Sequence, residues 1–325
     1  MLISRNILTK SNPALGALLN TTLASGTIKS SVTLSSLPAN NSQSSRPFST
    51  QLKPVSKFSG LKSTRQLSTE SNKTERALSK HFSETFHPEK LEVLKDEFAK
   101  KRFVELKNFF PQPLSGKLHD SLSDLMEHKA VSRRLHIPTT ENTPRYYKNA
   151  NNVVLKNEMP VVDEIYHSPS LRKLVADIAQ EPIHSVPYKP EEYVASQLQH
   201  AGDTHGWHWD DYAYALVYIA KNPPVAHGGS LNYIKDTSWD RTKPSISSIL
   251  ASSQYLEKHP DSGSAYLLRS DTCLHRVAPL NIDSKRMVVT FSYADTADLS
   301  KTASHETMEL MYPETCADEK KGRAS

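Results

Sequence analysis

The first 69 residues contain no aspartate or glutamate. Beside that absence stand eight basic residues, Arg5, Lys10, Lys29, Arg46, Lys53, Lys57, Lys62 and Arg65, in a background rich in Ser, Thr and Asn. Cysteine is scarce too: Cys273 and Cys316 are the whole supply, and their separation fits no zinc-type pair. No apolar run approaches the roughly 18 residues of a membrane span, so a spanning helix is not expected. The net charge of +5 gives little reason to expect a nucleic-acid partner, because the eight N-terminal charges account for it and leave residues 70–325 at −3.

An acid-free, Ser-rich, basic N-terminus is the composition of an organelle transit peptide. "MLISRNILTKSNPALGALLN" can form an amphipathic helix. "RPFST" (46–50) and "RQLST" (65–69) each place Arg three residues before Ser. That pattern resembles matrix-protease cleavage sites and predicts processing near Phe48 or Leu67. Residues 1–69 are therefore read as a mitochondrial presequence addressed to the matrix, with a plastid as the alternative compartment.

Past Lys73 the apolar spacing becomes helical in "TERALSKHF", "PEKLEVLKDEFAKKRF" and "LSGKLHDSLSDLMEHK". "MPVVDEIYHSPSLRKLVADIAQ" (159–180) reads as two helices split at Ser168-Pro169. Residues 183–295 change character. Short β-rich runs, among them "EEYVASQLQ", "AYALVYIA", "GSAYLLR" and "RMVVTFSYA", alternate with Pro, Gly, Asn and Asp, the spacing of a sandwich or barrel. The predicted organisation is α+β: a helical support region over 70–182, a β-barrel core over 183–295, and a tail over 296–325 with one short helix, "HETMELMY".

"HGWHWDDYAYALVYI" (205–219) is dense in His and Asp just before an apolar run. In a strand, residues i and i+2 share a face, so His208 and Asp210 can offer an imidazole and a carboxylate to one ion. His275 in "DTCLHRVAPL" supplies a third donor 67 residues on. Two His and one carboxylate with open positions suit a non-heme Fe(II) oxygenase; on its own, His-x-Asp also fits a solvated turn. Arg286 favours the metal site. If "RMVVTFSY" is a regular strand, Arg286, Val288, Thr290 and Ser292 share one face and Met287, Val289, Phe291 and Tyr293 the other. An arginine pointing into a barrel needs an anionic partner, which a dicarboxylate would provide.

Taken together, His208-x-Asp210, the "GGSL" turn, "GSAYLLRSDTCLHRVAPL" and Arg286 resemble the double-stranded β-helix dioxygenases that use Fe(II), 2-oxoglutarate and O2. The resemblance implies a jelly-roll core buttressed by the N-terminal helices, iron on His208, Asp210 and His275, and 2-oxoglutarate held by Arg286. Tyr218, from its place in the following strand, is expected either to give that carboxylate a second hydrogen bond or to be a core tyrosine. Within the superfamily, "HGWHW" is most similar to the group acting on free amino acids, which contains lysine hydroxylases and halogenases. That likeness implies substrate contacts from Arg145, Glu191 and His205: an Arg suits an α-carboxylate, a carboxylate suits an ammonium, and His205 stands three residues from a metal ligand. Thr290 and Ser292 face inward by parity and complete the expected pocket.

Halogenases of that group replace the carboxylate ligand by a small residue, leaving room for halide; the retained Asp210 implies hydroxylation. The expected activity is hydroxylation of an aliphatic C–H bond in a small, lysine-like amino acid. A protein side-chain hydroxylase and a non-catalytic metal-binding jelly-roll are the competing readings.

Overall fold

The computed structural model describes residues 64–313, with side chains from Lys73 onward. Most of the expected presequence, including the site near Phe48, lies outside these residues; Leu67 falls in the first turn of the first helix. In chain order the helices are α1 (Thr64–Thr85), α2 (Pro88–Lys101), α3 (Gln112–His128), α4 (Asn152–Glu158), α5 (Pro160–Tyr166), α6 (Pro169–Ala179), α7 (Ile246–Ser252) and α8 (Glu306–Met311). The strands are β1 (Phe103–Leu106), β2 (Val131–Ile137), β3 (Thr143–Ala150), β4 (His184–Ser185), β5 (Tyr193–Leu198), β6 (Thr204–His208), β7 (Tyr214–Lys221), β8 (Leu231–Ile234), β9 (Leu256–Lys258), β10 (Ala265–Arg269), β11 (Leu274–Val277) and β12 (Arg286–Ala294). No helix among the described residues is long and apolar enough to cross a membrane.

Hydrogen bonding joins the strands into one antiparallel sheet in the order β1-β10-β7-β12-β5-β3-β6-β11-β8-β9, with β2 added to β3 and β4 to β12. The sheet curls over on itself. Val217 of β7, Tyr266 of β10 and Val288 of β12 line the same cavity as His208 of β6, His275 of β11 and Leu231 of β8. Strands several places apart in the order can share a cavity only if the two halves face each other. The result is the jelly-roll, or double-stranded β-helix.

Outside the curl, the longer helices bury one apolar stripe each in a core shared with the sheet. Leu78 and Phe82 of α1, with Phe86 just beyond its end, recur every four residues; Leu118, Leu122, Leu125 and Met126 serve α3; Leu171, Leu174, Val175 and Ile178 serve α6. They meet Leu216 and Tyr218 of β7 and Met287, Val289, Phe291 and Tyr293 of β12 in one cluster. Each such Leu or Phe, fully buried, contributes about 1.5–3 kcal/mol. The break between α5 and α6 falls at Ser168-Pro169: the Ser168 hydroxyl accepts from Leu171 N at 3.1 Å, and Pro169 needs no acceptor for the donor it lacks.

One expectation needs correction. The span 70–182, read as helical, contributes three strands to the sheet, β1, β2 and β3. β1 is four residues long, too short for a period to show. The buried face of β3 is Arg145, Tyr147 and Asn149, a polar set that does not announce a strand by apolar alternation.

Candidate metal centre and its cavity

β6 and β11 run antiparallel with His208 directly opposite His275, and Asp210 follows β6 by two residues. One ligand atom from each of the three lies within 4.8 Å of the others. His208 Nε2 stands 3.4 Å from Asp210 Oδ1, and His275 Nε2 stands 3.8 Å from the same oxygen. Both rings are fixed from behind. His208 Nδ1 donates to the Gly206 carbonyl at 2.8 Å, and His275 Nδ1 donates to the Cys273 carbonyl at 2.9 Å. A carbonyl can only accept, so Nδ1 carries the proton and each Nε2 lone pair turns inward, as metal-binding histidines require.

The electrostatics agree. Burial, then the neighbouring His275, pulls His208 down to about 3, so it is neutral at ordinary pH. Burial alone would raise Asp210, but His275 and His208 outweigh it and hold the carboxyl below its usual range. Two imidazoles and one carboxylate, with the rest of the cavity open beside them, fit a divalent iron that must also take up cosubstrates.

Gly206 makes this geometry possible. A Cβ there would stand 2.8 Å from both the carbonyl oxygen and Cδ of Pro144. Only glycine lets β3 come this close to β6, and the approach sets Arg145 opposite His205. His205 in turn stacks on His208, with ring centroids 4.0 Å apart and planes 13° apart.

Parity in β12 is as read from the sequence. Arg286, Val288, Thr290 and Ser292 line the cavity, while the alternate residues join the outer core. Arg286 is 2 % exposed and its Nε has no hydrogen-bond partner. No carboxylate among the described residues pairs with it; the Tyr266 hydroxyl on β10 is its hydrogen-bonding neighbour. An inward guanidinium without an anion, facing a phenol, fits the distal carboxylate of 2-oxoglutarate.

Tyr218 does not take part. Its side chain is on the outer face of β7, where the hydroxyl is 2.8 Å from Ser115 Oγ on α3 and the ring packs on Phe110 at 4.9 Å. The adjacent Val217 faces the cavity instead. Tyr266 occupies the position for which Tyr218 was expected. Antiparallel pairing sets Tyr266 opposite Val217, a register that the sequence did not disclose.

Arg145 and Glu191 both reach the cavity. Arg145 is 0 % exposed. Its guanidinium donates to neutral oxygens: Thr143 Oγ1 at 3.0 Å, the Pro144 carbonyl at 3.2 Å, the Gly206 carbonyl at 3.4 Å and Thr140 Oγ1 at 3.4 Å. Burial lowers it to about 10, so it stays charged, with no paired carboxylate among the described residues. Glu191 ends the 3-10 turn Lys189–Glu191, its side chain 10 % exposed and its Oε1 2.9 Å from His305 Nδ1. Burial, then Asp210, pushes its carboxyl up to about 8.

Sequence reasoning did not single out the cavity's roof. Thr307, Met308, Met311 and Tyr312, on and just after α8, line it. With its open mouth included, the empty space is about 1210 Å3.

The family model described as Halogenase D (HalD) matches residues 86–313. No curated protein matches the chain. Among solved structures, AviO1 from Streptomyces viridochromogenes Tue57 superposes with a TM-score of 0.50 at 15% identity, covering 63% of this chain and 95% of that one. The non-heme alpha ketoglutarate dependent epimerase SnoN of nogalamycin biosynthesis gives 0.48 at 15% identity, over 64% and 84%. A Trichoplax adhaerens prolyl hydroxylase, solved with a hypoxia inducible factor peptide, gives 0.48 at 16%, over 74% and 98%. At 15% identity the likeness to AviO1 is one of fold.

Proposed function

This chain belongs to the Halogenase D family and is an Fe(II)/2-oxoglutarate-dependent oxygenase; from that premise we propose that it hydroxylates an aliphatic C–H bond of a small, cationic free amino acid, lysine-like in length and charge. The observation that carries the reading is one cavity that joins the His208, Asp210 and His275 donors to a buried guanidinium, Arg145, and a buried carboxyl group, Glu191. Burying a substrate carboxylate or ammonium without a partner is costly. A zwitterion with a cationic side chain is the small molecule whose charges these two residues answer.

When bound, Fe(II) with 2-oxoglutarate and O2 supplies an oxidant that converts C–H to C–OH while 2-oxoglutarate leaves as succinate and CO2. The chain's own residues do the rest. The backbone carbonyls of Gly206 and Cys273 hold the two imidazoles in the binding tautomer. Arg286 and Tyr266 fix 2-oxoglutarate by its far carboxylate. Arg145 orients the amino acid by its α-carboxylate, Glu191 by its ammonium, and His205 contacts it beside the metal. Thr290 and Ser292 bound the remaining wall, and α8 keeps bulk water from the target carbon.

Asp210 supports hydroxylation over halogenation, since the carboxylate fills the place that a halide would need. The roof speaks against a polypeptide substrate, which needs an open groove. The inward Arg286 speaks against a metal binder without oxygenase chemistry, which needs no buried guanidinium. The acid-free N-terminus supports import into the mitochondrial matrix.

The test is direct. Purified protein with Fe(II), 2-oxoglutarate and ascorbate is screened against free amino acids, with and without chloride. A product heavier by one oxygen, formed from a cationic amino acid, is expected. A chlorinated product, or turnover of a protein-bound side chain with no free amino acid accepted, defeats the reading.

A further inference from the structure

α8 covers the cavity although it is only six residues long. A helix that short has almost no stability of its own, so its place over the cavity depends on side-chain anchors. His305, just before α8, is the anchor nearest the charge-reading end. Its imidazole lies on the Tyr188 ring, with centroids 3.8 Å apart and planes 18° apart. Its Nδ1 is 2.9 Å from Glu191 Oε1 and 3.8 Å from Asp211 Oδ2. Both the histidine and the glutamate side chains are largely buried, at 15% and 10% exposed.

Glu191, Asp211 and His305 are close enough to suggest a second metal site. The cluster already has its own cations, however. Arg241 pairs with Asp211, and Lys301 Nζ donates to the Asp211 carbonyl at 2.8 Å. The arrangement is a latch between the roof and the floor of the cavity rather than a vacant ion site.

We propose that His305 is a positioning residue that ties the α8 roof to Glu191 and aims that carboxylate at the substrate's cationic end. The proposal rests on the reading of Glu191 as the partner of the substrate ammonium. A carboxylate has two oxygens and about four acceptor positions; His305 uses one on Oε1 and leaves the group lining the cavity. The donated N–H fixes the carboxylate's rotation. Closing the roof and presenting the charge are then one event, so a cationic amino acid is held more firmly than a neutral one of equal length.

Two measurements decide it. In the first, backbone amide exchange over residues 301–312 is followed in the full chain for His305→Phe, Glu191→Leu and the double variant. The phenylalanine keeps a ring on Tyr188 and loses the donor. Each single change should speed exchange in α8, and the double should add little, because both break one link. Independent, multiplicative effects would overturn the latch, and they are also what a mere backbone disturbance at His305 would give. In the second, KM and kcat are measured, at a pH where Glu191 is ionised, for a cationic amino acid and a neutral one of the same length. Loss of a hydrogen bond to a charged group predicts that His305→Phe raises the cationic KM roughly ten- to a hundredfold. The kcat and the neutral KM should hardly move. His305→Asn, which restores an N–H near the Nδ1 position, should recover most of the loss. An equal loss on both substrates, or no rescue, would overturn the positioning role. Should the wild-type enzyme accept no free amino acid, the functional reading fails by itself, and the exchange cycle still decides the link between His305 and Glu191.

Discussion

Replacing Arg286 by Met tests the cosubstrate site with opposite signs in the presence and absence of ligand. Arg286 is 2 % exposed, its Nε is unpartnered and its hydrogen-bonding neighbour is the Tyr266 hydroxyl. Without 2-oxoglutarate the guanidinium is a buried charge with no anion, and an apolar chain of similar length removes that penalty. The variant should therefore melt no lower than the wild type. With 2-oxoglutarate the balance reverses. Removing one partner of a buried charged pair costs about 3–5 kcal/mol, which raises Kd from roughly 10² to several times 10³-fold. At a ligand concentration of 100 wild-type Kd, binding stabilises the wild type by about 2.7 kcal/mol. At about 2–4 °C per kcal/mol for a domain of this size, the midpoint should rise by roughly 5–10 °C. In the variant the same concentration is at or below Kd, so the gain is at most about 0.4 kcal/mol and the shift under about 2 °C. A thermal-shift series with Fe(II) held constant reads all of this. An undiminished shift in the variant would refute the assignment of Arg286 to 2-oxoglutarate; a variant that melts much lower without ligand would make Arg286 a structural residue.

How much of this was legible depends on whether one face of each element met water or the cavity. β12 alternates between an apolar outer face and a mixed inner one, so its parity could be read directly, Arg286 included. His208 and Asp210 share a side by the same rule, and "HWD" needed only a downstream histidine to make a metal site of it. β7 defeats that logic. Seven of its eight residues are buried, because helices cover one face and the cavity the other. With no alternation left, the inward choice between Val217 and Tyr218 could not be made, so Tyr218 stayed open between a cosubstrate contact and a core tyrosine, and the structure makes it the latter. β3 fails for the opposite reason: its inward residues are polar because they serve the cavity, so its pattern conflicts with its fold, as functional positions tend to do. Gly206 and His305 owe their importance to Pro144 and Glu191, both remote in sequence, and no local pattern marks such partners.

Three shorter predictions follow from these contacts, and a fourth is argued from charge. Gly206→Ala should push β3 from β6, since the added Cβ would stand 2.8 Å from Pro144 backbone; iron affinity and 2-oxoglutarate turnover should both fall, and unchanged values would show that the close approach is not required. The mature N-terminus should lie between about residues 47 and 70, where the acid-free sequence ends. Terminal sequencing reads it, and truncation past Glu75, whose carboxylate accepts from Ser168 Oγ and Ser170 N, should lower the melting midpoint. Arg145→Ala should impair every free amino acid alike, as all share the α-carboxylate; a loss confined to cationic substrates would contradict that pairing. The pH dependence of Glu191 gives the last prediction. Burial, then Asp210, pushes its carboxyl from 4.5 up to about 8. Between those values the native state holds a proton that the unfolded chain has released, so stability must fall as pH rises through this window. The contribution is fully present below about 4.5 and gone above about 8. The ammonium-binding form is the ionised one, so the KM for a cationic amino acid should fall as pH rises toward 8, while that for a neutral one stays level. Glu191→Gln keeps the shape without the titration and should flatten both trends. The metal ligands titrate alike in both proteins, so a pH slope that persists unchanged in Glu191→Gln would place its origin at another group and remove Glu191 from substrate recognition.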